Sequence, residues 1–376
     1  MLVIGPYRGS TGYDRHTREL TRQLLQNGFD IQLYEFKRWS PPLPLSQQDP
    51  FFDKLNKPTG ATTCLQFLTP SHARPLNGLK NINYTMFEAV RIPDSWVESA
   101  HQMDLIIVPN QYGKNIWMES GVPGGKIEIC PLAVDGKFFS GASDPLGTPL
   151  DETRPFSGYT NRFLNIAEFR PRKNHMGLIR SWLKATNKND DAVLILKLSS
   201  SPDTFFRFQA NLRNLEKTLN KPLREAAPLV LINRQLSHDE IRALYHSSTH
   251  YISMSRGEGW DLPMMEAAAA GLNLIAPGHS GYGEYVEEKD FFVIPSRQIP
   301  VNREDFTGFG DIMFFEGLQW WEPDEEFSAQ LIRDIIDRKV MAKPKPRDRI
   351  INKYTWEKSG RILADILNGF NQFRAK

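Results

Sequence analysis

The sequence predicts an α/β chain of two Rossmann-like, doubly wound domains, each built on a parallel sheet, facing each other across a central cleft. Three observations carry this. A strand–turn–helix–strand order is laid down at Met1–Phe36 and again at Phe163–Ser200, without similarity of residues. The stretch Asp135–Asn161 is rich in Gly, Pro, Ser and Thr with little periodicity, as linkers are. The length of 376 residues exceeds one typical core and suits two.

The elements follow in order. MLVIGPY at the start is apolar but stops at Pro6 and lacks a basic opening, so it reads as a buried strand and not a signal peptide. A glycine-rich turn, Gly9 to Gly12, leads into a helix marked by Leu20, Leu24 and Leu25 at helical spacing. Gly28 stops that helix, and FDIQLYEF alternates like a strand. DLIIVP (104–109) and KIEICPLAV (126–134) read as further buried strands. The domain boundary is placed near residue 155, giving domains 1–155 and 156–376. In the second domain a strand at Phe163 is followed by EFRPRKNH, a turn carrying Arg170, Arg172 and Lys173. PLVLIN is a strand, and Ser237 with Asp239 and Glu240 opens the next helix as capping requires. THYISMS and LNLIAP are strands on either side of RGEGWDLPMMEAAAAG. KPKPRD is a basic connector, and 354–373 form a long amphipathic helix.

Composition excludes several classes. A net charge of +2 leaves no field for nucleic-acid binding. Two distant cysteines suit a reducing compartment, and a cytoplasmic location is expected. No apolar run approaches the ~18 residues of a membrane span, although peripheral membrane contact stays open. No cluster has metal-ligand spacing, so neither a metal nor a cofactor is expected.

The stretch Arg256–Gly271 carries the chemistry. A glycine loop follows a strand, and Pro263 suits the first turn of a helix that Gly271 ends. The loop and helix N-terminus offer backbone N–H groups to an anion. The two carboxylates, Glu258 and Glu266, suit vicinal hydroxyls, since a carboxylate accepts two such bonds. Together these call for a ligand with phosphates and sugar hydroxyls. The basic turn at Arg170–Lys173, expected to be exposed, occupies the ligand edge of a βαβ unit and can stabilise a diphosphate without a metal.

EGWDLPMMEAAAAG followed by LNLIAPGHSG resembles the signature of GT-B glycosyltransferases, specifically the retaining family 4 group (glycosyl transferases group 1). The likeness spans nearly the whole chain and is specific in the second half. It implies that Glu258 contacts the donor sugar, Glu266 the nucleotide ribose, and Arg172 with Lys173 the diphosphate. Gly259, Trp260, Asp261, Leu262 and Arg170 complete the implied donor-binding set. Gly9, Ser10, Gly12 and Tyr13 fall in a segment similar to the family's N-terminal glycine loop and are the acceptor or phosphate loop of that reading. The C-terminal helix resembles the one that crosses back to the first domain. The chain departs from the pattern twice. Glu168 stands where the family often has Arg, with Arg170 as substitute. Where many members carry a first-domain histidine, the chain has Phe87 and Glu88; Glu88 either serves the reacting sugar or pairs with Arg91. His16 and His72 are the other candidates there. The resemblance implies retaining transfer of a hexose-type sugar from a nucleoside diphosphate sugar, without metal, to a carbohydrate, lipid-linked or other small acceptor. A non-catalytic nucleotide-sugar-binding protein and a GT-B epimerase or phosphorylase are the alternatives.

Overall fold

The computed structural model describes residues 1–37, 39–141 and 158–373. The chain forms two compact units, one of Met1–Asp135 with the segment from Asn352 onward, the other of Gly136–Ile351. The expected boundary near residue 155 lies outside the described residues.

The first unit contains β1 (Leu2–Gly5), α1 (Gly12–Gln26), β2 (Gln32–Glu35), β3 (Thr63–Phe67), β4 (Lys80–Tyr84), α2 (Asp94–Gln102), β5 (Leu105–Val108), α3 (Gln111–Glu119) and β6 (Ile127–Ile129). Its six strands pair in the order β2-β1-β3-β4-β5-β6, all parallel. Strands β3 and β5 are buried at every position, as a sheet covered on both faces requires. Helix α1 starts at a capping box in which Thr11 and Asp14 bond each other's backbone N–H.

The second unit opens with α4 (Gly136–Ser140), inside the stretch expected to be linker. The chain folds there because Phe139 is fully buried, its ring 5.6 Å from that of Tyr245. There follow β7 (Asn161–Ile166), α5 (His175–Ala185), β8 (Ala192–Leu198), α6 (Pro202–Leu219), β9 (Leu229–Asn233), α7 (His238–His246), β10 (His250–Ile252), α8 (Leu262–Ala269), β11 (Asn273–Pro277) and β12 (Phe291–Ile294). These strands form a second parallel sheet, β12-β11-β10-β7-β8-β9. Its core joins Phe163, Trp182, Leu194, Leu196, Phe208 and Ile332. Helix α7 begins at the expected Ser237, which forms a capping box with Glu240. An antiparallel hairpin not expected from the sequence, β13 (Ser296–Pro300) and β14 (Gln319–Pro323), closes over Trp320, whose ring lies 5.6 Å from that of Phe306. The unit ends with α9 (Glu325–Ile336), and α10 (Arg347–Lys353) straddles the division. The last helix, α11 (Trp356–Phe373), belongs to the first unit and packs on α1. Gly360 permits that approach, because a Cβ there would stand 2.2 Å from Cβ of Gln23.

Candidate functional site

In the second unit β11, β10 and β7 are adjacent and parallel, so the loops leaving their carboxyl ends are neighbours. These loops hold Arg170–Lys173, Arg256–Asp261 and Gly278–Tyr282. Backbone bonds join them. The Arg256 N–H donates to Arg172 O at 2.8 Å, and the Gly281 N–H donates to Glu258 O at 2.9 Å.

The three residues predicted to act on the leaving group and sugar lie together. Glu258 is 4% exposed. Its Oε2 lies 2.9 Å from Arg172 Nη1 and its Oε1 accepts from Lys173 Nζ at 2.5 Å. Burial alone would raise this carboxyl's pKa. Arg172 and then Lys173 outweigh that and hold it at about 2. Arg172 also donates to Gly257 O at 2.5 Å. The basic turn is therefore not the exposed loop expected. The Arg172 and Lys173 side chains are only 18% and 17% accessible, because a buried carboxylate draws both inward.

Asp261 precedes α8 in the left-handed region at φ 63°, ψ 74°. It is 6% exposed, and its Oδ1 is buried without a partner among the described residues. Burial, then the charge of Glu258, raises its pKa to about 7. Two neighbouring carboxyls are thus driven apart, Glu258 held ionised and Asp261 shifted toward its neutral form.

Helix α8 is buried from Met264 through Ala269, which brings Glu266 inside at 5% exposure. Glu266 accepts the Tyr245 hydroxyl at 2.8 Å. Burial, and then Glu266, pushes that tyrosine's pKa well above its ordinary value. The Trp260 side chain is 1% exposed, with its ring 5.3 Å from Tyr285 and its Nε1–H directed at Met265 Sδ at 3.4 Å. It serves the packing of the loop. Gly259 and Leu262 are also buried. Arg170 bonds Glu168 at 3.0 Å, lies 3.7 Å from Asp311 and covers the Phe309 ring. The carboxylate standing at the family's arginine position is thus a partner of Arg170.

The other candidates belong to the first unit. The Gly9 N–H donates to Asp14 Oδ1 at 2.7 Å, so a side-chain carboxylate already holds the N–H expected to face a phosphate. A Cβ at Gly9 would stand 1.9 Å from Ser40 Oγ, which explains the glycine. Ser10 is exposed in the turn before α1, and Gly12 is exposed as the helix's first residue. The Tyr13 hydroxyl lies 3.2 Å from Thr85 Oγ1 and accepts the Met86 N–H at 3.3 Å. Burial chiefly, with the charge of Glu88 adding to it, raises the Tyr13 pKa. Arg91 bonds Asp94. His16 is core, fully buried with its ring 4.1 Å from Tyr84 and 4.6 Å from Phe67, and burial lowers its pKa to about 3. His72 is exposed and lies 2.9 Å from Thr69 Oγ1.

Residues not predicted from the sequence hold this edge together. Arg256 donates to Glu322 of β14 at 2.6 Å, and Asn174 donates to the same carboxylate at 3.3 Å. Trp321 N–H donates to Arg256 O at 3.0 Å, and its ring stacks on His279 at 5.2 Å. No motif marked the hairpin, so these contacts had no signal. Among the described residues no group of His, Cys, Asp and Glu is placed to hold a metal ion, and no helix is long and apolar enough to cross a membrane.

The two doubly wound parallel sheets have the GT-B type of fold shared by the solved structures below. Within that class, residues 151–299 match the family described as glycosyl transferases group 1. No curated protein matches the chain significantly by sequence. Among solved structures it resembles Anabaena Alr3699/HepE in complex with UDP and glucose, at TM-score 0.63, 12% identity and coverage of 98% of this chain and 99% of that one. It also resembles sucrose-phosphate synthase (tll1590) from Thermosynechococcus elongatus, at TM-score 0.64 and 13% identity over 100% and 99% of the two chains. A glycosyltransferase from Rickettsia africae aligns at TM-score 0.59 and 17% identity over 98% and 97%.

Proposed function

We propose that the protein transfers a sugar from a nucleoside diphosphate sugar to an acceptor, with retention of anomeric configuration. The observation that carries this reading is Glu258 held between Arg172 and Lys173, on the loops at the ligand edge of the unit that matches the family. In the absence of donor the two cations neutralise Glu258. A diphosphate entering beside them competes for both, and Glu258 becomes an acceptor for sugar hydroxyls. The bond from anomeric carbon to phosphate oxygen breaks, and its electron pair stays on the diphosphate facing Arg172 and Lys173. The acceptor oxygen attacks from the same face and its proton passes to the departing phosphate, so no protein nucleophile is required. Glu266 holds the ribose diol.

The deciding experiment is a panel of nucleoside diphosphate sugars assayed for nucleoside diphosphate release with and without carbohydrate and lipid-linked acceptors. Uridine diphosphate sugars come first, because the HepE structures contain UDP and UDP-glucose. Acceptor-dependent release with retention supports the reading. Binding without turnover supports a non-catalytic nucleotide-sugar protein, and acceptor-free isomerisation an epimerase.

Two further outcomes are expected. Glu266→Gln should weaken binding of the free nucleoside diphosphate by about 1.5–3 kcal/mol, the worth of a charge-assisted bond. Unchanged affinity by calorimetry, in a variant whose fold is intact, removes the ribose assignment. Transfer should persist in EDTA, because side chains supply the cations at the diphosphate. Complete loss restored by magnesium or manganese contradicts that.

A further inference from the structure

We infer that Ser280 is a positioning residue for Glu258, kept in a strained backbone conformation because its hydroxyl fixes the Glu258 peptide; the inference rests on the transfer reading above. Ser280 has φ 78° and ψ −168°. That region is open to glycine at little cost and is strained for any residue with a Cβ. Residues there persist only where surrounding contacts impose the conformation, and they cluster at functional sites.

The contacts are specific. Ser280 is 6% exposed, and its Oγ accepts the Glu258 N–H at 3.1 Å. The next residue, Gly281, donates its N–H to Glu258 O at 2.9 Å. One turn therefore clamps both polar groups of the Glu258 peptide. The Ser280 Oγ also lies 2.6 Å from His279 Nδ1. A hydroxyl accepting from Glu258 N–H has its own proton to donate, and a neutral imidazole nitrogen accepts it. Burial keeps His279 neutral, lowering its pKa to about 3. His279 is fixed in turn by the Trp321 ring stacked on it at 5.2 Å and 13°. The hydroxyl orientation is thus set from both sides, and so is the Glu258 backbone that carries the carboxylate between Arg172 and Lys173.

Glycine would relieve the strain and lose the hydroxyl; alanine would lose the hydroxyl and keep the strain. Both variants leave the buried Glu258 N–H without its acceptor. The test compares Ser280→Gly, Ser280→Ala and wild type by thermal unfolding, by steady-state transfer from a donor that wild type uses, and by calorimetry with the free nucleoside diphosphate. The glycine variant should melt above the alanine variant by roughly 2–4 °C. Both should lose about tenfold in kcat, the scale of one misplaced contact made at the sugar. Affinity for the free nucleoside diphosphate should change less than about threefold, because it lacks the sugar that Glu258 faces. A glycine variant with wild-type kcat overturns the positioning role. An alanine variant as stable as the glycine variant overturns the strain. Absence of turnover by wild type with every donor overturns the transfer reading itself, and this inference with it.

Discussion

Lys173→Ala is expected to lower kcat by about a hundredfold or more, the scale of losing one preformed electrostatic donor at a developing charge. The lysine meets Glu258 in the resting protein and, on the proposed reading, meets the diphosphate during transfer. Charge on the leaving group grows as the glycosidic bond breaks, so the missing cation is felt most in the transition state. Donor affinity should therefore fall less than kcat. The structure adds a consequence that an exposed loop would not have. Without Lys173, Glu258 keeps Arg172 and the Ser255 hydroxyl but loses one of its two cations, and its pKa should rise. The variant should lose stability on the order of 1–3 kcal/mol while remaining folded. Lys173→Arg should restore stability better than rate, since a planar fork does not reproduce a compact ammonium. Steady-state kinetics and denaturant unfolding of the two variants decide the matter. A kcat for Lys173→Ala within about threefold of wild type, under about 1 kcal/mol, removes the role assigned to this residue.

How much of this was legible in the sequence follows from the kind of signal each part leaves. Strands of a covered parallel sheet are short unbroken apolar runs, so DLIIVP and PLVLIN were readable as β5 and β9. Caps are readable because the residue type is the mechanism, as with Ser237 and Glu240. Glu258, Arg172 and Lys173 were readable as candidates because loops at the carboxyl ends of parallel strands face ligands. Their mutual ion pairs were not, because they join Glu258 through tertiary packing to residues far away in the chain, 85 positions in the case of Lys173. The β13–β14 hairpin was missed because SRQIP and QWWEP are short and half polar, and their pairing spans a long irregular loop. Glu322 and Trp321 were missed with it. Ser280 left one trace, its place in the LNLIAPGHSG stretch that resembles the family's signature, but a positive φ at serine is invisible without coordinates. The linker reading overreached at Gly136–Ser140, where two phenylalanines outweigh the surrounding Gly and Ser.

Asp261→Asn should stabilise the protein at pH 8 by on the order of a few kcal/mol and should do so much less at pH 5. The physical cause is burial beside a like charge. The Asp261 carboxyl is 6% exposed next to an ionised Glu258, and its pKa stands at about 7 against an ordinary 3.8. A carboxyl with a raised folded pKa favours the folded state while it is protonated. That contribution is fully present below about pH 3.8, declines as pH rises, and is gone above about 7. Asparagine fixes the neutral form at every pH, so the gap between variant and wild type opens from about pH 4 and levels off above 7. The substitution suits the backbone, since asparagine tolerates the left-handed φ of 63° as aspartate does. It also suits the site, because an amide keeps a polar group where Oδ1 is buried. The same ionisation bears on the proposed donor. A second negative charge beside Glu258 opposes an incoming diphosphate, so wild-type affinity for the nucleoside diphosphate should weaken above pH 7 and the Asp261→Asn affinity should not. Urea unfolding at half-unit steps from pH 4.5 to 8.5 reads the first effect, and calorimetry over the same range reads the second. A stability gap that stays constant across that range shows that Asp261 does not titrate within it, and the electrostatic account of this carboxyl pair then fails.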